Sequence, residues 1–220
     1  MLKAKLITPL FFIPFRLRFF RREYRNRAIN ALDVGCGNHS PVLVKRWFPD
    51  WNYYGLDREE YETDDNDRNA MTKYFRLDLS TDRLDVLPEA YFDVVIMAHI
   101  VEHLRNGLAV IRSLSTKMKK GGKIYIEFPS VRSLSLPTMY GTLNFCDDET
   151  HVRVYSVQEI ANTLLDMNFR IIRAGTRRDW KLVLTLPVRL LLKFIVRRKI
   201  GGGDFWDVSG FASYVFAEKR

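Results

Sequence analysis

A doubly wound α/β sheet is the fold class predicted by three observations. From Ile29 onward, short apolar runs alternate with helical stretches in the manner of successive βα units. The first run ends in Asp33-Val-Gly-Cys-Gly-Asn38, a glycine turn at a strand's tip, and Asp57 closes the next run about one βα unit later. Gly35 and Gly37 permit torsions and a close backbone approach that a side chain forbids. The Asp57 carboxylate can accept hydrogen bonds from both hydroxyls of a ribose. The pair therefore suits an adenosine-like nucleoside held across two neighbouring strand ends.

In chain order, the pattern predicts strands near 30–35, 52–57, 73–77, 92–97, 122–128, 169–175 and 211–217. Helices are expected near 40–48, 66–71, 81–87, 103–118 and 156–167. Ser156 stands as an N-cap with Glu159 as its capping-box partner. Lys119-Lys-Gly-Gly122 is expected to stop the long helix, supplying cations and glycine at its C-terminal end. Residues 130–155, rich in Ser, Pro, Thr, Gly and Asp, read as a lid over the strand ends, and 176–210 as a basic amphipathic insertion. Residues 1–28 form a basic, apolar N-terminal arm, and 29–220 the domain proper.

A chain of 220 residues, 47% hydrophobic, suffices for one well-buried α/β domain. Cys36 and Cys146 are its two cysteines, with no CxxC and no His/Cys cluster at ligand spacing. A disulfide framework, a structural zinc site and any other metal centre are thus not expected, and a reducing, cytoplasmic setting is. The formal charge of +9 is unevenly spread: residues 1–30 hold eight Lys/Arg against Glu23, residues 170–200 hold ten against Asp179, and 31–169 carry −6.

The basic ends are also apolar. Leu6 to Phe20 reads LITPLFFIPFRLRFF, and Leu182 to Lys199 reads LVLTLPVRLLLKFIVRRK. Neither reaches the roughly 20 uninterrupted apolar residues of a membrane-spanning helix. In the second, Arg189, Lys193 and Arg197 recur every four residues as one cationic stripe. Two readings stand: the helix lies in an anionic membrane interface, peripheral to its inner face, or both segments pack on the domain with their charges solvated. A cleavable signal peptide is disfavoured by Pro9, Pro14 and the arginines that follow.

Three later features point to the same strand ends. Phe75-Arg-Leu-Asp78-Leu79 puts a carboxylate where it could accept from an adenine amino group. Tyr91 to Leu104 reads as a buried strand opening into a helix start that carries His99, Glu102 and His103. Met118 to Pro129 supplies a glycine turn and another apolar strand. Open α/β sheets bind ligands outside the carboxyl ends of their strands.

Taken in this order, the motifs resemble the class I S-adenosylmethionine-dependent methyltransferases, in particular the small-molecule branch with a Glu-His-Leu sequence after the fourth strand. The resemblance covers roughly residues 29–175 and the closing strand. It implies a Rossmann-like, seven-stranded, mostly parallel sheet of order 3-2-1-4-5-7-6, last strand antiparallel, with helices on both faces. It implies S-adenosyl-L-methionine as cofactor, with Asp33, Gly35 and Gly37 at the methionine end, Asp57 on the ribose and Asp78 with Leu79 at the adenine. Cys36, Arg58, Ala98 and His99 complete the implied cofactor set. One departure is visible: His39 or Ser40 stands where the family carries a third glycine. Each carboxylate also has a structural role open to it, Asp33 and Asp78 as caps and Glu102 at a helix N-terminus.

Methyl transfer from a sulfonium needs chiefly alignment of acceptor and methyl carbon, plus a base where the nucleophile must lose a proton. The candidate bases are His99, Glu102, His103 and His151, since an imidazole near neutrality suits that task. His151 leads, directly before the 156–167 helix; its alternative role is to bond a loop carbonyl and order the lid. Cationic, apolar arms favour a small-molecule or lipid-linked acceptor, such as a lipid-linked sugar, at an anionic membrane surface. The resemblance points the same way, toward surface-polysaccharide or lipid biosynthesis. Nucleic acid is a weaker partner, because the arms' aromatics cluster with aliphatics and no RNA-binding appendage accompanies them. An RNA methyltransferase, a non-catalytic cofactor-binding scaffold and a nicotinamide dehydrogenase are the competing readings, the last weakened by Ser40 at the fingerprint's third glycine.

Overall fold

In the computed structural model, residues 13–197 and 199–220 are described. Seven strands form one sheet: β1 (Asn30–Val34), β2 (Asn52–Asp57), β3 (Lys73–Arg76), β4 (Phe92–Ala98), β5 (Met118–Pro129), β6 (Phe169–Thr176) and β7 (Ala212–Lys219). Their order is β3-β2-β1-β4-β5-β7-β6, as the resemblance implies. The first five pair in parallel, and β7 runs antiparallel between β5 and β6.

Strand periodicity explains the two cores, because alternate residues point to opposite faces. Ala31, Tyr53, Val94, Ile96, Tyr125 and Phe216 meet α1 (Phe15–Tyr24) and α2 (Ser40–Trp47) through Leu17, Phe20, Tyr24 and Val44. Leu32, Val34, Val95, Met97, Ile124 and Val215 meet α4 (Gly107–Lys117) and α5 (Val157–Asp166) through Ile111, Leu114, Ile160 and Leu164. Helix α1 lies within the predicted arm, yet it packs on the sheet. Phe20 sits edge-on to Trp51 and Phe216, at 5.9 and 5.5 Å between ring centroids. The first twelve residues of that arm lie outside the described residues.

The expected capping box of α5 is present: Glu159 N–H donates to Ser156 Oγ at 3.1 Å, and Ser156 N–H donates to Glu159 Oε2 at 2.9 Å. A short helix α3 (Asp65–Ala70) precedes β3. Three predicted boundaries are corrected. The helix expected at 81–87 is a single 3₁₀ turn, Leu84–Val86, because the Asp82 carboxylate turns back to the Asp78 N–H at 2.8 Å and Pro88 follows. The long helix starts at Gly107 rather than 103, and Val101–His103 forms a 3₁₀ turn. There the Glu102 carbonyl is taken by the N–H groups of Val152 and Arg153, at 2.9 and 3.2 Å, so it cannot start an α-helical ladder. Its end also precedes the glycines: Lys117 is the last helical residue, and Gly121, with φ of 78°, lies inside the extended β5 segment where the pairing with β4 shifts register.

Between β6 and β7 the chain forms α6 (Trp180–Leu184), α7 (Leu186–Arg197) and α8 (Trp206–Ser209). Because β6 runs parallel to β5, this insertion begins at the carboxyl edge, beside the glycine turn's end of the sheet. Asp179 fastens it by an ion pair to Arg18 of α1 and by its N–H to Asp207 Oδ1, 2.8 Å. Among the described residues, no helix is long and apolar enough to cross a membrane.

Candidate functional site

The glycine turn joins β1 to α2. Gly35 has φ of 79°, and its N–H donates to the Leu56 carbonyl at 2.8 Å, tying the turn to β2. A Cβ there would lie 2.1 Å from Ile100 Cδ1, and one at Gly37 would lie 2.8 Å from the Tyr61 carbonyl oxygen. Glycine is thus required by torsion at the first position and by backbone proximity at the second. The missing third glycine has a physical answer. Asn38 and His39 both take left-handed torsions, φ of 56° and 57°, so the turn keeps a glycine-like path without glycine. His39 is held there by Asp67, with 2.7 Å between His39 Nδ1 and Asp67 Oδ2, and Ser40 begins α2.

Asp33 is buried, and its Oδ2 is held by two hydroxyls. Ser40 Oγ and Tyr53 Oη donate to its Oδ2 at 2.5 and 2.6 Å, and Arg16 donates to Ser40 Oγ at 2.8 Å. Burial raises its pKa, against the nearby Arg16 charge. Asp33 Oδ2 therefore ties the turn to α2 and β2. Cys36 is buried beside Gly55, and desolvation pushes its thiol pKa up, which makes it packing rather than chemistry.

Asp57 stands half-buried at the tip of β2. The Arg58 N–H donates to its Oδ1 at 2.8 Å, and the Gly37 and Glu59 amides also face it; burial still raises its pKa. Asp78 lies two residues past β3. Its Oδ1 accepts from Ser80 N–H and Oγ, at 2.9 and 2.5 Å, and those bonds with the Arg58 charge lower its pKa. It is a turn cap whose carboxylate shares the field of exposed Arg58. Leu79 is buried in the core, and its carbonyl accepts from Asn106 Nδ2 at 3.1 Å.

At the end of β4 the chain turns sharply. Ala98 still pairs with Glu127, and His99 takes a left-handed φ of 58° with its N–H on the Glu127 carbonyl at 2.8 Å. Both ring nitrogens of His99 meet carboxylates: Nδ1 lies 3.1 Å from Glu102 Oε1 and Nε2 3.0 Å from Glu127 Oε1. Burial favours the neutral ring, but the two carboxylates outweigh it and hold the pKa up at about 9. His99 is thus an imidazolium near neutrality, a donor rather than the base expected of it. Glu127 also accepts from Arg177 Nη1 at 3.1 Å and from Tyr125 Oη; burial opposes its charge, yet Arg177 and His99 hold its pKa well below the usual carboxylate range. Arg177 continues to Asp207 Oδ2 at 3.3 Å, and Trp206 packs over His99 with ring centroids 4.8 Å apart.

His103 and His151 stand together, ring centroids 4.9 Å apart, beside Glu102. His151 is nearly covered: its Nδ1 donates to the Phe145 carbonyl at 2.7 Å, and its Nε2 lies 3.7 Å from Asp148 Oδ2. It therefore does order the lid, and in the neutral ring that bond places the lone pair on Nε2. At the ends of β5 and β7, a cavity of about 290 Å³ is lined by Ser130, Arg132, Tyr155, Ser156, Thr176 and Arg178, among others.

The predicted residues thus form two groups along one edge, Asp33–Gly37 with Asp57, Arg58 and Asp78 at one end and His99, Glu102, His103 and His151 at the other. Sequence reasoning missed Ile100 over Gly35, Tyr61 against Gly37, and the chain of Glu127, Arg177 and Asp207. One signal for the last was available: Glu127 interrupts the apolar run Ile124-Tyr-Ile-Glu-Phe128.

Comparison with known proteins bears on the family and the fold. The family model described as a methyltransferase domain matches residues 8–174. Similar solved structures include a SAM-dependent methyltransferase from Archaeoglobus fulgidus, with 19% identity, TM-score 0.58, and coverage of 93% of this chain and 91% of that one. An S-adenosylmethionine-dependent methyltransferase from Mesorhizobium loti has 13% identity, TM-score 0.62, and coverage of 89% and 93%. The O-methyltransferase of a Brevibacillus brevis trans-AT PKS multienzyme, in complex with S-adenosyl-L-homocysteine, has 18% identity, TM-score 0.57, and coverage of 93% and 71%. No curated protein matches the sequence. The chain belongs to the methyltransferase domain family.

Proposed function

We propose that this methyltransferase uses S-adenosyl-L-methionine, bound over the Gly35–Gly37 turn with its ribose on Asp57, to methylate a small-molecule, sugar or lipid-linked acceptor at a membrane surface. The observation that carries the cofactor assignment is the backbone approach at Gly37, where a Cβ would meet the Tyr61 carbonyl at 2.8 Å, beside a half-buried carboxylate at the next strand tip. Arg58 and Asp78 lie beyond Asp57 toward the adenine end, and Ala98 and His99 flank the methyl-donor end. Asp33 and Cys36 support the turn. When bound, the cofactor supplies an electrophilic methyl group; the chain's own task is to align an acceptor with it.

The acceptor side is supported by two features. Arg132 and Arg178 line the cavity beside β5 and β7, which suits an anionic group on the acceptor. The insertion presents apolar side chains outward: Leu184 is 78% exposed and Ile195 65%, with Val188, Leu191 and Phe194 beside them. Two cations of the expected stripe are turned inward, since Lys193 pairs with Asp204 and Arg189 Nη2 lies 3.5 Å from the same carboxylate, while the side chain of the third, Arg197, lies outside the described residues. At Arg189 and Lys193 the membrane contact would therefore be made by the apolar neighbours more than by charge.

Incubating the protein and a cell extract with cofactor labelled in the methyl group tests this. Label is expected in the lipid or lipid-linked sugar fraction. Label in RNA would transfer the assignment to the RNA methyltransferase reading, and S-adenosylhomocysteine formation with no acceptor labelled would remove the acceptor class.

A further inference from the structure

Glu102, His103 and His151 make a cluster that methyl transfer does not require. One carboxylate oxygen of Glu102 and one ring nitrogen of each histidine lie within 4.8 Å of one another. The hydrogen bonds around them decide which atoms are available. Thr150 Oγ1 donates to Asp148 Oδ1 at 2.5 Å, so toward His103 Nδ1, 2.9 Å away, it can only accept. His103 Nδ1 therefore carries the proton, and Nε2 bears the lone pair. His151 Nδ1 donates to the Phe145 carbonyl, which leaves its Nε2 with a lone pair as well. Glu102 Oε1 is engaged by His99, whereas its Oε2 is buried and receives no hydrogen bond.

A buried, ionisable oxygen with no donor is costly unless something positive meets it. One ring nitrogen of each histidine lies within 4.8 Å of a Glu102 oxygen, and in neutral rings with the tautomers above neither Nε2 can donate to it. A cation satisfies all three at once. We propose that Glu102, His103 and His151 form a three-ligand site for a divalent first-row transition ion. Two imidazoles and one carboxylate suit ions of the zinc or iron(II) class better than magnesium or calcium, which prefer all-oxygen ligands. Both histidines already have the second-shell arrangement of a metal ligand, with Nδ1–H on an oxygen, and the Asp148 carboxylate, 3.7 Å from His151 Nε2, adds negative charge beside the site.

Ligands about 2.1 Å from a tetrahedral ion sit roughly 3.4 Å apart, so binding would draw the 145–151 loop and the 101–103 turn together. With three protein ligands, a coordination position stays open. Resting on the methyltransferase reading, that position would hold an acceptor oxygen on the side of the lid.

A second cluster, His39, Asp64 and Asp67, meets the same distance criterion and differs in the decisive respect. Both Asp67 oxygens are occupied: Oδ2 by His39 and the Asp64 N–H, Oδ1 by the Val42 N–H at 3.4 Å. It is a capping box with a histidine attached.

Cobalt(II) titrated into the metal-free full chain, followed by visible ligand-field absorption and calorimetry, provides the test. One equivalent with a nitrogen-oxygen spectrum is expected, displaced by zinc(II). His103→Gln, the more exposed ligand, should weaken binding by more than 100-fold, and Thr150→Val, which keeps the Thr150 carbonyl 3.2 Å from His103 Nδ1, by about 10-fold, the low end of the cost of a lost second-shell partner. His39→Gln should leave affinity and spectrum unchanged. His151→Gln, whose ring packs on Phe145, is a supporting variant read alongside its unfolding curve. No binding, or binding that survives His103→Gln, overturns the proposal. S-adenosylmethionine titrated into the same metal-free protein separates this failure from failure of the cofactor reading.

Discussion

At the β1–β2 end of the carboxyl edge, most contacts that shape the site come from one stretch of chain, Asp33 to Ser80, with Arg16 and Ile100 added from outside it. At the β4–β5–β7 end the partners come from His99, Glu127, Arg177, Trp206 and Phe211, far apart in sequence and joined by the fold. The first end is built from backbone torsion and amides, the second from buried charge. The difference teaches where each can be broken: the first through ligand affinity with little loss of stability, the second through stability itself.

The largest effect is therefore expected at Glu127. Truncation to alanine takes one of two carboxylate partners from both His99 and Arg177, leaving Glu102 and Asp207 to face two buried cations, which costs about 3 kcal/mol. Denaturant unfolding would measure it, and a loss below about 1 kcal/mol would dissolve the contrast between the two ends. Loss of the Asp57 side chain should leave the unfolding curve unchanged within about 0.5 kcal/mol, as for a half-exposed site away from the core.

The charge network also predicts a pH dependence on the alkaline side of neutrality, where the raised carboxylates of the β1–β2 end are already ionised. The folded pKa of His99, about 9, exceeds its ordinary value of 6.5. Its contribution to stability is then fully present below pH 6.5 and is lost as pH rises through about 9. Unfolding midpoints should fall across that window in the parent and not in His99→Gln. A flat profile in the parent would show that His99 is neutral in the folded protein.

Smaller effects sharpen the boundary. Ser156→Ala removes the cap of α5 and should cost about 1 kcal/mol by denaturant unfolding. His39→Gly should change stability by less than about 1 kcal/mol, because relief of left-handed torsion and loss of the Asp67 bond oppose one another. A large gain would mean that the Asp67 contact contributes nothing.

Legibility follows the same division. Gly35, Gly37 and Asp57 could be read because torsion and close approach leave marks on adjacent residues. Alternating apolar runs likewise gave the strands, since burial on two faces forces them. The start of α4 could not be read, because it depends on the Glu102 carbonyl being taken by Val152 and Arg153, some 50 residues away. The outward apolar face of α7 was hidden for the same reason: Asp204, beyond the helix, draws Arg189 and Lys193 inward. His103 and His151 lie 48 positions apart, so no local spacing rule brings them together.

The central claim is that the Gly35 turn and Asp57 hold a nucleoside cofactor. Calorimetric titration of S-adenosylmethionine into the parent and into Asp57→Ala tests it most directly. One-to-one binding in the parent, weakened by about 10- to 100-fold in the variant through loss of ~1.5–3 kcal/mol of charge-assisted hydrogen bonding, is the expected result. Absence of binding to the parent, or equal affinity in the two proteins, would contradict it.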